Sequence, residues 1–184
     1  MLLSCWSYGF ATVQITQALA DAGVAPRRYF NLIMDELWRA LRVSSGMVDH
    51  IDALSRLNRQ VGIGTIYITH SMVDFMALAT EEDRRKASGL VERSRMLILG
   101  GVTYREIGLL RGLFHFSDKE VARLTGWNAP GGYDDFNQCA LPMPGMGRFM
   151  LKTSDSPGIT FSIDLTPEEM ILSEQSNFRW ERQA

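Results

Sequence analysis

The sequence predicts an α/β fold: a parallel sheet with helices on both faces. Two observations predict it. Three short apolar runs, residues 29–34, 65–69 and 96–99, read as strands and are separated by stretches with helical spacing. Polar residues (Asp35, Glu36, Thr69, His70) gather where the first two runs end, and the carboxyl ends of strands are where such sheets bind ligands.

Residues 7–22 read as a helix, with Ala11, Ile15, Ala18 and Ala22 at four- and three-residue steps; Gly23 and Pro26 stop it. Residues 29–34 are apolar on both faces, which suits a strand buried on both sides. Residues 46–60 return to helical spacing, with Met47, Ile51, Leu54 and Leu57 on one face, and Gly62 and Gly64 break the pattern. The second strand, 65–69, runs into His70 and Ser71. Ser71 with Asp74 resembles a capping pair, and Thr80 before three acidic residues opens another helix reaching about Arg93. The third strand, 96–99, closes on Gly100 and Gly101. Beyond it, 104–115 look helical, with Ile107, Leu110 and Phe114 in step, and Ser117 to Glu120 form a capping box. Residues 126–147, rich in Gly and Pro, read as an ordered loop. Residues 149–153 and 159–165 suit a hairpin, in which Ile159, Phe161, Ile163 and Leu165 alternate as if one face were buried. Pro167 sits in the first turn of a last short helix. There is no internal repeat; 1–101 reads as a core and 102–184 as its elaboration.

Composition narrows the function. The chain has 184 residues, 46% hydrophobic and 22% charged, with net charge -2. These values exclude a disordered tail and a generally basic nucleic-acid coat. Cys5 and Cys139 are far apart, and His50, His70 and His115 lack metal-ligand spacing, which argues against a disulfide framework or zinc module. No G-x-S-x-G or H-E-x-x-H occurs. No apolar run approaches the roughly 20 residues that span a bilayer, and the amino terminus lacks a basic leader, so the expected setting is cytoplasmic or cytoplasm-facing.

Three features carry chemistry. Leu32-Ile33-Met34 ends in the adjacent carboxylates Asp35 and Glu36. An ATPase uses such a pair to orient Mg²⁺ through water and to polarise the water that attacks the γ-phosphate. A solvated helix start would give the same pentapeptide, since acidic residues suit a helix amino terminus. Thr69 and His70 end the neighbouring strand, where a polar tip can contact the attacking water or the phosphate; a histidine packed at a strand–helix junction is the plain alternative. Arg93 and Arg95 precede the third strand, and an arginine there could reach a γ-phosphate in a neighbouring subunit. Arg84, Arg85 and Lys86 read as a solvated basic face.

Taken together, NLIMDELWRALR, LSRLNRQVGIGTIYITHS and SRMLILGG resemble the carboxyl-terminal half of the FtsK–HerA superfamily of P-loop ATPases, nearest to TraC-like conjugative-transfer and type IV secretion ATPases. FSDKEVARL, GRFMLKT and FSIDLTPEE are similar to that family's closing segment. The resemblance implies part of a RecA-like, three-layer core with a mostly parallel sheet, followed by a helical segment and a hairpin. It implies ATP and Mg²⁺ as cofactors, Asp35 serving Mg²⁺ through water, Glu36 as catalytic base, Thr69 and His70 at the phosphate, and Arg93 or Arg95 acting in trans. His70 stands where the family usually has glutamine, which weakens the sensing assignment. The implied partners are an upstream half of the ATPase, further copies in a hexameric ring, other secretion subunits and DNA, on the cytoplasmic side of a membrane.

No G-x-x-x-x-G-K-[ST] occurs, and no Gly-Lys pair at all. The family's phosphate loop lies upstream of the matching segments, so these 184 residues are expected neither to bind ATP tightly nor to hydrolyse it alone. A non-catalytic scaffold subunit with the same fold is a further reading. So is a helix-turn-helix module opening at Ser117, although Asn128-Ala129-Pro130-Gly131-Gly132 interrupts the second helix such a module needs.

Overall fold

The computed structural model describes residues 2–42, 45–57, 62–153 and 156–172. The chain folds as two compact units, divided between Ser94 and Arg95.

The first unit contains α1 (Leu2–Asp21), β1 (Phe30–Met34), α2 (Leu37–Leu41), α3 (Ser45–Leu57), β2 (Ile63–Tyr67), α4 (Val73–Met76) and α5 (Glu81–Arg93). Gly23 at φ 72° lets the chain leave α1 in the left-handed conformation that commonly ends helices. The expected extension of α3 to residue 60 lies outside the described residues, as do the side chains of Leu54 and Leu57. Thr80 caps α5 by accepting from the Asp83 amide at 3.0 Å. At Ser71 the cap is shorter than expected: its hydroxyl accepts from the Val73 amide at 3.0 Å, and α4 is one turn long.

β1 and β2 pair in parallel, from Phe30 opposite Ile63 to Met34 opposite Tyr67. The pairing continues past the strands: Ile68 N–H donates to the Met34 carbonyl at 2.9 Å, and Leu37 N–H to the Ile68 carbonyl at 3.0 Å. This locks the two carboxyl ends side by side. Met34, Leu37, Ile51, Phe75 and Leu90 are buried around the pair. The expectation that β1 is buried on both sides is corrected. Ile33 and its cross-strand partner Ile66 are 61% and 49% exposed, and Ile68 is 43% exposed. Parallel sheets are normally covered on both faces; here, among the described residues of this unit, one face is left exposed.

The second unit contains β3 (Leu97–Leu99), α6 (Tyr104–Leu110), α7 (Asp118–Trp127), β4 (Tyr133–Asp134), β5 (Cys139–Ala140), β6 (Arg148–Lys152) and β7 (Ile159–Ser162). Residues 167–172 are helical, and Thr166 and Glu169 cap each other's backbone. A second correction concerns β3. It does not join β1 and β2 in a parallel sheet but pairs antiparallel with β6, giving the order β3-β6-β7. Three apolar residues specify a strand and not its partner, and the hairpin of the same unit supplies the edge. The hairpin itself forms as expected. Its β7 face is not buried: Ile159, Ile163 and Leu165 are at least half exposed, because β7 is the edge of the sheet. The loop after α7 is ordered and holds the small β4–β5 ladder. Gly145 there lies against the Trp127 carbonyl, where a Cβ would collide.

One polar cluster joins α7 to the hairpin. Lys152 on β6 is buried, 1% exposed, and donates to Glu120 Oε1 and to the Ser156 carbonyl, both at 3.0 Å. Glu120 closes the capping box with Ser117 and also accepts from the Gly158 amide at 2.6 Å. Burial acts to raise its pKa, but hydrogen bonds from the Ser117 amide, Lys152, the Gly158 amide and the Ser117 hydroxyl outweigh this and hold it at about 2.

Candidate functional site

The carboxyl tips of β1 and β2 bring together two of the residues the sequence singled out. β1 ends at Met34, and the chain turns into α2 through Asp35 and Glu36. Asp35 Oδ1 accepts from the Glu36 amide at 2.9 Å. Glu36 takes φ 54° and ψ 44°, a left-handed conformation uncommon for a residue with a side chain. Across the strand pair, His70 Nε2 lies 2.8 Å from Glu36 Oε1. The ionised carboxylate only accepts, so Nε2 carries the proton and donates. The other carboxylate oxygen, Oε2, accepts from the indole N–H of Trp38. Hydrogen bonds from His70 and then Trp38 hold the Glu36 carboxyl below the usual range for a glutamate. His70 is the open side of this arrangement, with a side chain 75% exposed against 24% for Glu36.

Thr69 makes only a long contact, its hydroxyl 3.5 Å from the Ser71 carbonyl. Arg93 is engaged within its own unit: its guanidinium donates to Asp52 and, at 3.3 Å, to Ser55, both on α3. Asp52 also holds Arg56 at 2.9 Å. The guanidinium passes close over Gly89, where a Cβ would lie 2.8 Å from it and the flexible arginine tip would have to shift. Arg95 is exposed and makes no hydrogen bond or ion pair among the described residues. The basic face is only partly solvated: Arg84 donates to the Leu78 carbonyl at 3.0 Å, and Lys86 pairs with Asp49 on α3 and with Glu82.

Trp38 is the residue whose part the sequence alone did not define. Arg39 and Arg42 lie over its ring, with Cζ 5.2 and 5.3 Å from the centroid. The spacing Glu36-x-Trp38 was visible, but the left-handed turn that folds the indole back onto the carboxylate was not.

Among the described residues no group of three or more His, Cys, Asp or Glu could hold a metal ion by itself. A Mg²⁺ ion arriving on a polyphosphate makes a smaller demand, one or two carboxylates and several waters. Exposed Asp35, with one oxygen turned to a backbone amide, suits that role. Among the described residues no helix is long and apolar enough to cross a membrane. The helix that would complete a helix-turn-helix after α7 does not follow; a loop and β4 come instead.

These features define an α/β unit with its polar residues at the carboxyl ends of a parallel strand pair, followed by a helical and antiparallel unit. The fold is similar to that of VirB4 of Thermoanaerobacter pseudethanolicus, with a TM-score of 0.64 over 92% of this chain at 16% identity. The chain spans 37% of the length of that structure. No protein-family model and no curated protein matches the sequence.

Proposed function

We propose that the chain is the downstream portion of the ATPase domain of a type IV secretion or conjugative-transfer motor, coupling ATP hydrolysis to substrate export or pilus assembly. The observation that carries this reading is the Glu36–His70 contact across the tips of adjacent parallel strands. The likeness of fold to VirB4, a type IV secretion ATPase, supports it.

In this reading the phosphate loop comes from sequence outside these 184 residues and delivers Mg²⁺-ATP to the strand tips. The nucleotide brings the metal and the phosphoryl group. Asp35 would hold the Mg²⁺ ion, which would supply charge neutralisation at the phosphates, and Thr69 and His70 would contact the γ-phosphate. Glu36 takes a proton from the attacking water. Like any carboxylate it is ionised at neutral pH, and the hydrogen bonds from His70 and Trp38 that lower its pKa also lower its basicity, so release of His70 by the incoming water strengthens it as a base. Arg95 is the better suited of the two arginines to act on a neighbouring copy, since Arg93 is committed to Asp52. The working assembly in this reading is a hexameric ring at the cytoplasmic side of a membrane, with other secretion subunits and DNA as partners.

The test is hydrolysis by a polypeptide that joins this chain to its phosphate loop. Glu36→Gln should leave ATP binding intact and lower kcat by about 10²–10⁴-fold, the usual contribution of a general base. Unchanged turnover would refute the assignment of Glu36; turnover by the 184-residue chain alone that is lost on Glu36→Gln would instead refute the need for a phosphate loop from outside these residues.

A further inference from the structure

We infer that Trp38 is a positioning residue that holds one oxygen of Glu36, Oε2, and so leaves Oε1 as the oxygen that receives the proton. The inference rests on the hydrolytic reading above and says which atom of the base works and what aims it.

The geometry distinguishes the two oxygens. Oε2 accepts from an indole N–H two residues along the same chain, on a half-buried ring. An indole N–H is a donor only, so Trp38 can neither take a proton from water nor pass one on. Oε1 meets His70, whose side chain is three-quarters exposed. An incoming water meets the exposed histidine first, whereas the indole is half-buried with two arginines over its ring.

The indole is itself held. Arg39 and Arg42 lie over the ring, and Arg42 reaches Asp74 on α4 at 3.8 Å. Asp74 lies four residues beyond His70 in the chain that leaves β2. The contacts therefore run from Glu36 to Trp38, Arg42 and Asp74, and directly from Glu36 to His70. These contacts tie the two strand tips together through residues other than the histidine. Cations over an aromatic face are attracted by its quadrupole, which orients the ring without touching its N–H.

The experiment follows the Trp38 indole proton and the Glu36 side-chain carboxyl by NMR in the 184-residue chain without nucleotide. In the unsubstituted chain the indole resonance should move with the same pH midpoint as Glu36. Trp38→Phe, which keeps a ring for the arginines and removes the donor, should raise the Glu36 midpoint toward the ordinary value of 4.5. In the polypeptide that carries the phosphate loop, Trp38→Phe should lower kcat, by up to about 10²-fold, with KM unchanged, as expected for a misplaced catalytic group. An indole resonance blind to Glu36 in the unsubstituted chain would overturn the inference, whatever the variant does to folding. So would a Trp38→Phe chain of unchanged circular dichroism in which Glu36 titrates as before. Intact coupling with hydrolysis indifferent to Glu36→Gln would overturn the base assignment and leave the indole contact standing.

Discussion

The buried Glu120–Lys152 pair makes the second unit acid-sensitive, and Glu120→Gln should remove most of that sensitivity. Glu120 falls from an ordinary 4.5 to about 2 on folding. Because the folded value is depressed, the stabilisation is fully present above about pH 5 and is lost as the pH falls through 4.5 toward 2. A fall of that size is worth about 3 kcal/mol at neutral pH, or about 2 kcal/mol after allowance for partial solvent screening. The substitution keeps the acceptor oxygen for the Gly158 amide but leaves the Lys152 ammonium, 1% exposed, without its counter-charge. Breaking a buried pair in this way costs about 3–5 kcal/mol, so the loss at pH 7 should be at least about 2 kcal/mol. The assay is urea unfolding read at the α7 and β6 amides by NMR, at pH 7 and again near pH 2.5. The difference between the unsubstituted chain and Glu120→Gln should shrink on acidification. A difference independent of pH, or direct titration of Glu120 near 4.5, would refute the reasoning.

The remaining predictions concern packing and exposure. Asp52→Ala removes the shared partner of Arg56 and Arg93 and should destabilise the first unit by about 1.5–3 kcal/mol in urea unfolding, the usual worth of hydrogen bonds to a charged group. Gly89→Ala should act through the same contact: the new methyl makes the flexible Arg93 guanidinium shift, which should move the arginine side-chain resonances with little change in stability by urea unfolding. Leu124→Ala, at a fully buried site on α7, should cost about 2–5 kcal/mol by the same unfolding assay. Ile66→Lys breaks the bare apolar face that Ile33, Ile66 and Ile68 form on the strand pair. Exposed apolar faces of this kind drive association, so the unsubstituted chain should self-associate in sedimentation velocity and the substitution should reduce this without changing the circular dichroism; an unaltered profile would count against that face as the adhesive one.

Much of the fold could be read in the residues because local signals sufficed. Thr80 before its acidic run and Ser117 with Glu120 mark the starts of α5 and α7, and both caps form. β1 and the hairpin of β6 and β7 follow from short apolar runs bounded by turn residues. What escaped depended on distant partners. The run that becomes β3 carries no mark of its antiparallel neighbour β6, more than forty residues later. Alternation along β7 suggested a buried face, yet among the described residues β7 is the edge of its sheet and stays exposed. Lys152 looked like an ordinary surface lysine in sequence. Its burial is visible only once Glu120 is known to lie beside it. In the candidate site, the meeting of Glu36 with His70 was legible from two strands ending in polar residues, a pattern that requires only parallel pairing in the observed register. The role of Trp38 was not legible, because it depends on a left-handed Glu36 that no propensity favours.

The most direct measurement is an experimental structure of the polypeptide that carries both this chain and its phosphate loop, bound to Mg²⁺ and a non-hydrolysable ATP analogue. The account predicts the γ-phosphate at the carboxyl tips of β1 and β2, with Asp35 facing the hydrated metal and Glu36 Oε1 facing the attacking water. A nucleotide seated at any other edge, with Glu36 and His70 still closed on each other, would contradict it.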